Sequence, residues 1–206
     1  DPIVRYGDGI NMSILATEPL NTKIIHLQNE VKKAYAQIKN PTKYEKDTYD
    51  LILGLKNTIG IQRDDAFGVT QAILDRGYQR YNKGSGLEHM IFRHYGDGAE
   101  GQLSAKEILR IGKTVQEGKL SREMPIGMED IDKSYKNIRV YSRDIANENA
   151  LYVVIGEDVN GVRNVITYYS NRERIGDNLS EAPIGIQNKS AISSTNPNGT
   201  IAKEIL

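Results

Sequence analysis

Two of the three histidines of this chain stand five residues apart in Lys83-Gly84-Ser85-Gly86-Leu87-Glu88-His89-Met90-Ile91-Phe92-Arg93-His94. An imidazole titrates near neutrality and can both take and give a proton. Lysine and arginine stabilise anions, and here Lys83 and Arg93 flank the pair. A helix opening from the glycine-containing loop at 84–86 would carry these groups, and together they suit acid/base chemistry on a phosphate. The plainer reading is a polar edge on an amphipathic helix with one imidazole satisfied in the core. The geometry of a helix constrains the choice. Residues five apart lie about 140° from each other around the axis, so His89 and His94 do not share one tight face, whereas Arg93 shares that of His89. Either one histidine acts alone, with His89 favoured by its place on the first turns, or His94 lies past the helix end, which Gly96 permits. The third histidine, His26, sits within an earlier helix without cationic company and reads as structural or exposed.

Periodicity supplies the framework around these residues. Ile24, Leu27, Val31, Ala34, Tyr35 and Ile38 recur at three- and four-residue spacing and predict a helix over about 22–39, ended by Asn40-Pro41. Tyr44, Leu51, Ile52 and Leu55 predict a second over 43–56, and Phe67, Val69, Ile73, Leu74 and Tyr78 a third over 64–81. A short helix over 87–95 carries the histidines. Ser104-Ala105-Lys106-Glu107 has the spacing of a capping box and starts a further helix that Gly118 stops. From about residue 134 the period becomes two. Ile138 and Val140 point one way, and Arg139, Tyr141 and Arg143 the other. Residues 151–155 form a more buried strand, Asn160-Gly161 marks a hairpin, and 162–169 is the return strand. The expected class is α+β: N-terminal helices followed by an antiparallel sheet. Three regions are expected, a helical one over 1–80, an α+β domain over 81–172, and an irregular segment over 173–206 rich in Gly, Asn, Ser and Pro.

The 27 Lys and Arg balance 27 Asp and Glu, so no global field steers the chain to nucleic acid or to a membrane, and any phosphate site must be a local patch. The chain has no cysteine, which removes disulfides, thiolate catalysis and cysteine metal sites. No apolar run reaches the length of a membrane span. His89, His94 and Glu88 make no convincing metal set, and no cofactor is expected. Asp1-Pro2 in place of an initiating methionine is what a piece of a longer polypeptide would show.

The order of these features resembles the phage-barnase-type members of the superfamily uniting barnase, EndoU, colicin-type and RelE-type endoribonucleases. The resemblance covers about residues 80–172: Gly86-Leu87-Glu88-His89 followed by Arg93-His94, a helix ending near Gly118-Lys119, and a meander of strands ending in Thr167-Tyr168-Tyr169. It implies a barnase-like nuclease core and RNA cleavage without a metal, in which the ribose 2′-OH attacks the adjacent phosphate and leaves a 2′,3′-cyclic phosphate and a 5′-OH. It also implies a bacterial or phage toxin module, acting in a bacterial cytoplasm after secretion or delivery, with a cognate immunity or antitoxin protein as partner. In that chemistry His89 and His94 serve as base and acid, Lys83, Arg93, Arg139 and Arg143 hold the phosphate, and Thr167 and Tyr169 position it. The strands add a hint of their own. Arg139, Tyr141 and Arg143 share one face, Arg163, Thr167 and Tyr169 share another, and a sheet face of arginine, tyrosine and threonine suits phosphate binding and base stacking. The positive potential is then confined to a cleft between the His89 helix and the Arg139–Arg143 face, with Glu129-Asp130-Ile131-Asp132 pointing away. The rival reading is a structural or adaptor module in which the histidines are incidental.

Overall fold

The computed structural model describes residues 13–81, 83–126 and 135–172. Helices α1 (Leu20–Ala36) and α2 (Lys43–Ile52) come first, then strands β1 (Thr58–Asp65) and β2 (Gly68–Asp75) and a small hairpin of β3 (Tyr78–Arg80) and β4 (Lys83–Ser85). Helix α3 (Gly86–His94) carries the histidine pair. Helices α4 (Ala105–Leu109) and α5 (Ile111–Glu117) follow, then β5 (Lys119–Ile126), β6 (Lys136–Asp144), β7 (Ala150–Glu157) and β8 (Arg163–Ser170). The chain is α+β, as its patterning predicts.

The helices form where their stripes and caps say they should. In α1 the buried Leu27 and Val31 are one turn apart. Thr42 and Glu45 close a reciprocal capping box at the start of α2, and Ser104 and Glu107 do the same for α4, each satisfying amide donors that the helix cannot. Gly118 ends α5 in an extended conformation.

Residues 64–81 are not a helix. Ile59, Ile61 and Arg63 alternate inward along β1, and Ala72 and Leu74 along β2, so the true period there is two. The spacing of Phe67, Val69, Ile73 and Leu74 imitates a helical stripe only because Phe67 and Val69 lie outside the core, Val69 70 % exposed and Phe67 half-exposed at the turn. Gly68 and Gly77 sit at φ of 102° and 64°, where an L side chain is strained, and punctuate the two turns. The helical expectation for 1–80 therefore holds for 20–52 and fails from residue 58.

The strands lie in the order β1-β2-β8-β7-β6-β5. The expected antiparallel meander is present in β5 to β8, but the whole sheet is mixed, because β2 runs parallel to β8 through the single pair Ile73↔Asn164. Helix α3 packs on β8 and β2 at this weakly joined seam. One face of the sheet, with Tyr141, Leu151, Val153, Ile155, Val165 and Tyr168, builds the main core with the five described helices. The other carries a smaller core of Tyr135, Ile138, Val140, Val154, Ile166 and Tyr169. The acidic run at 129–132, Lys133 and the segment from 173 onward lie outside the described residues.

Candidate active site

Helix α3 is held so that its two flanks do different work. Leu87, Met90 and Ile91, each at most 1 % exposed, form its apolar stripe and enter the main core. Burial of each of these side chains is worth about 1.5–3 kcal/mol, enough to fix the rotation of the helix about its axis. His89 and His94 are thereby turned out of the stripe. At the far end the buried Lys23 of α1 donates from Nζ to the Phe92 carbonyl at 2.8 Å, placing a cation at the negative end of the helix.

The rings meet despite the angular offset of their positions. Their centroids are 6.4 Å apart, edge to face. His94 is the last residue of α3, not beyond it, and the chain turns extended at Tyr95. Each ring is oriented through Nδ1. His89 Nδ1 donates to the Gln79 side-chain oxygen at 2.8 Å, and His94 Nδ1 donates to the Glu100 carbonyl at 2.5 Å. A carbonyl can only accept, so the proton of a neutral His94 is fixed on Nδ1 and Nε2 carries the lone pair. Burial pushes the His94 imidazolium down to about 3; the hydrogen bond to the Glu100 carbonyl opposes this, and repulsion from His89, Arg93 and Lys23 adds to it. At neutral pH His94 is therefore an uncharged acceptor at Nε2. Two glycines make room for this pinning. A Cβ on Gly84 would collide with Gln79 Oε1 and lie 3.0 Å from His89 Nδ1, and one on Gly101 would lie 3.0 Å from Tyr169 Cβ and 3.4 Å from His94 Nδ1.

The second face of the sheet reaches the histidines through Tyr169. Strand register puts Arg122, Val140, Val154 and Thr167 in one cross-strand row, and Ser142, Tyr152 and Tyr169 in a neighbouring row on the same side. Two β-bulges decide this. On β8, Val165 pairs with Ile155 and Thr167 with Val154, so Ile166 is an extra residue. On β5, Leu120 pairs with Tyr141 and Arg122 with Val140, so Ser121 is extra. Each insertion reverses the faces beyond it. Thr167, Tyr169 and Arg122 are thus aimed to one side. Tyr169 stacks on Tyr152 with centroids 5.5 Å apart and lies 5.6 Å from His94, giving a continuous series of rings from Tyr152 through Tyr169 and His94 to His89. Burial raises the Tyr169 hydroxyl to about 12, with the Arg122 charge opposing, so it is a proton-bearing donor at neutral pH. Thr167 Oγ1 and Arg122 Nε are buried with no hydrogen-bond partner among the described residues. They stand at the two ends of their row, on β5 and β8, about 14 Å apart at the backbone with the buried Val140 and Val154 between, so each is a separate polar atom with unfilled hydrogen-bonding capacity on this face.

The structure thus brings together three of the expected residues, His89, His94 and Tyr169, and Thr167 lies on the same sheet face as Tyr169. Arg93 remains beside them, with Nη2 3.7 Å from Glu100 Oε2. Lys83 is exposed on β4, opposite Arg80 and next to Gly84. The expected RNA-binding set goes elsewhere. Arg139, Tyr141, Arg143 and Arg163 occupy the opposite face, toward the main core. Arg139 stacks on Phe67 at 3.6 Å, Tyr141 lies under Arg63 at 3.8 Å, Arg143 donates to Thr114 Oγ1 at 3.0 Å, and Arg163 is 9 % exposed and paired with Glu157 at 3.4 Å. Among the described residues the Arg139–Arg143 face does not form the expected cleft with the His89 helix, because Phe67 and Arg63 of the β1–β2 hairpin and Thr114 of α5 cover it. Uninterrupted alternation groups Arg163 with Thr167, and the bulge at Ile166 separates them.

Sequence reasoning misses Gln79, Arg122 and Tyr152. Gln79 falls in the segment whose spacing imitates a third helix. Tyr152 follows from alternation once Tyr169 is known, but the side on which Arg122 falls depends on the Ser121 bulge and has no local signal. Among the described residues no three His, Asp or Glu side chains gather as metal ligands, and no helix is long and apolar enough to cross a membrane. Comparisons with protein-family models, curated proteins and solved structures find no match to this chain.

Proposed function

We propose that this chain is an endoribonuclease that cleaves RNA by transesterification at the 2′-OH, with no metal in the reaction. The observation that carries the reading is the pair of imidazoles, ring centroids 6.4 Å apart and each fixed through Nδ1, with the Tyr169 ring 5.6 Å from that of His94. His94 is the base. Its Nε2 lone pair takes the 2′-OH proton as that oxygen attacks phosphorus. His89 is the acid. Its contact to the Gln79 oxygen is compatible with a charged ring, and it delivers a proton to the departing 5′-oxygen as the P–O5′ bond breaks. A charge on His89 also disfavours one on His94. The Tyr169 hydroxyl donates to a phosphoryl oxygen as negative charge grows there, and the Arg122 charge acts on that hydroxyl from across the face. The products are a 2′,3′-cyclic phosphate and a 5′-OH. In this reading Arg93 and Lys83 supply further positive charge at the margin, and the chain is the toxin module of a bacterial or phage system held in check by an immunity protein.

The test is incubation with total bacterial RNA in the presence of a chelator, followed by analysis of fragment ends. Cyclic phosphates and 5′-OH ends, lost in His89→Ala and His94→Ala, are expected. Cleavage that EDTA abolishes, or that leaves 5′-phosphates, refutes the mechanism. A folded wild type without any activity favours an adaptor role.

A further inference from the structure

The β3–β4 hairpin has a feature that the chemistry above does not use. Its strands pair Tyr78↔Ser85, Gln79↔Gly84 and Arg80↔Lys83, so the connection is two residues long and Tyr81 is its first. Tight hairpins of this length take left-handed φ at the first loop position and favour Asn, Asp or Gly there. This chain places a tyrosine at that position, with φ of 55°. The ring receives nothing in return within the fold. It is 89 % exposed, more than any other large apolar side chain among the described residues, and none of them stacks on it. The other exposed aromatic at a hairpin tip, Phe67, contrasts with it, being covered by the Arg139 guanidinium at 3.6 Å. A bulky residue held in a disfavoured conformation and pointed at solvent signals function rather than folding.

Its neighbours indicate what it meets. Arg80 and Lys83 are both exposed and flank the ring on the two strands. Gln79 ties the tip to the site. Its Nε2 donates to the Tyr81 carbonyl at 2.7 Å, and its Oε1 accepts from His89 Nδ1 at 2.8 Å. One amide therefore fixes both the tip and the histidine, and Tyr81 stands two residues of strand, about 7 Å, beyond it. An aromatic platform between two cations is the arrangement that holds an unpaired nucleotide, the ring stacking on the base and the cations on the phosphates. It is unsuited to a duplex, whose bases are stacked on one another. An apolar protein partner would want a wider patch than one ring set between charges.

We propose that Tyr81, flanked by Arg80 and Lys83 at the hairpin tip beside His89, is a substrate subsite that stacks a base of single-stranded RNA flanking the cleaved linkage. The subsite rests on the reading of the chain as a ribonuclease, and it makes the preferred substrate an unpaired strand longer than a dinucleotide.

The experiment compares three proteins on two substrates. Wild type, Tyr81→Asn and Tyr81→Phe are assayed with a dinucleoside monophosphate and with a single-stranded RNA of about eight nucleotides. Tyr81→Asn should lower kcat/KM on the longer RNA about tenfold or more, the scale of one lost base stack, and leave the dinucleotide rate unchanged. Tyr81→Phe should keep wild-type behaviour on both. Asparagine also accepts left-handed φ, so Tyr81→Asn should melt at a higher temperature than wild type, which separates lost stacking from lost folding. Equal losses on both substrates would mean that the tip merely shapes the site through Gln79. No loss on either would mean that the ring binds nothing. Both results overturn the subsite. A second arm measures binding of a non-cleavable 2′-deoxy single strand by fluorescence anisotropy. Arg80→Gln should lower the dependence of log affinity on log salt by about 0.7, the value of one single-strand phosphate contact. If the wild type cleaves neither RNA, the ribonuclease reading falls, and this arm still decides the subsite: affinity for the deoxy strand unchanged by Tyr81→Asn overturns it.

Discussion

The state of His94 makes a stability measurement the sharpest test of the site. Its imidazolium is depressed from an ordinary 6.5 to about 3, chiefly by burial. The unfolded chain therefore binds a proton at this position between those limits and the folded chain does not, so stability falls as pH falls through the unfolded value and continues to fall until the folded value is reached. Between about pH 7 and about pH 5 this single group should remove about 2 kcal/mol. The window is chosen because the carboxylates held down by cationic partners, Asp47, Asp65 and Glu107, lose their contribution at lower pH. Urea unfolding of wild type and His94→Asn, followed by circular dichroism at several pH values, reads the difference. Asparagine keeps a donor near the position of Nδ1 for the Glu100 carbonyl but does not titrate. His94→Asn should lose about 2 kcal/mol less than wild type across the window. Parallel losses in the two proteins would show that His94 titrates normally when folded, and the neutral base at Nε2 would go with it.

Thr167→Val should separate function from stability: it replaces a buried hydroxyl lacking a partner among the described residues by a methyl of similar shape, so stability should be unchanged or rise by about 1 kcal/mol in urea unfolding, while RNA cleavage falls. A loss of stability would reveal a hidden partner for the hydroxyl. His89→Ala should lower cleavage by roughly 10²–10⁴-fold and also cost about 1–3 kcal/mol, because the ring is 3 % exposed and bonded to Gln79. Full activity in that variant would make His89 a core residue. Gly84→Ala should disrupt the Gln79–His89 bond through its Cβ and lower activity along with stability, read by cleavage and thermal melting. Lys23, depressed by burial from 10.5 to about 8, should make wild type gain stability as pH rises from about 8 toward about 10, and Lys23→Met should lack that rise in urea unfolding.

Elements whose information is local are legible in the chain alone. Three- and four-residue spacing places α1 and α2, Ser104 and Glu107 place the start of α4, and alternation places β6, β7 and β8. The same local signals put His89, Arg93 and His94 on one short helix. Tertiary structure decides which of these residues meet. The two histidines are poorly aligned on their own helix, yet their rings come within 6.4 Å because α3 is locked by its Leu87, Met90 and Ile91 stripe and each Nδ1 is pulled to a separate oxygen, Gln79 and Glu100. The face of the sheet that serves the site is illegible for a different reason. Alternation assigns sides only while the strand is uninterrupted, and a bulge is defined by the partner strand rather than by the residue that forms it. Ser121 and Ile166 carry no mark of being extra, but each reverses the facing of the residues after it. Those two insertions put Arg122, Thr167 and Tyr169 on the second face, where Tyr169 meets His94, and part them from Arg163, which stays with Arg139, Tyr141 and Arg143 on the main-core side.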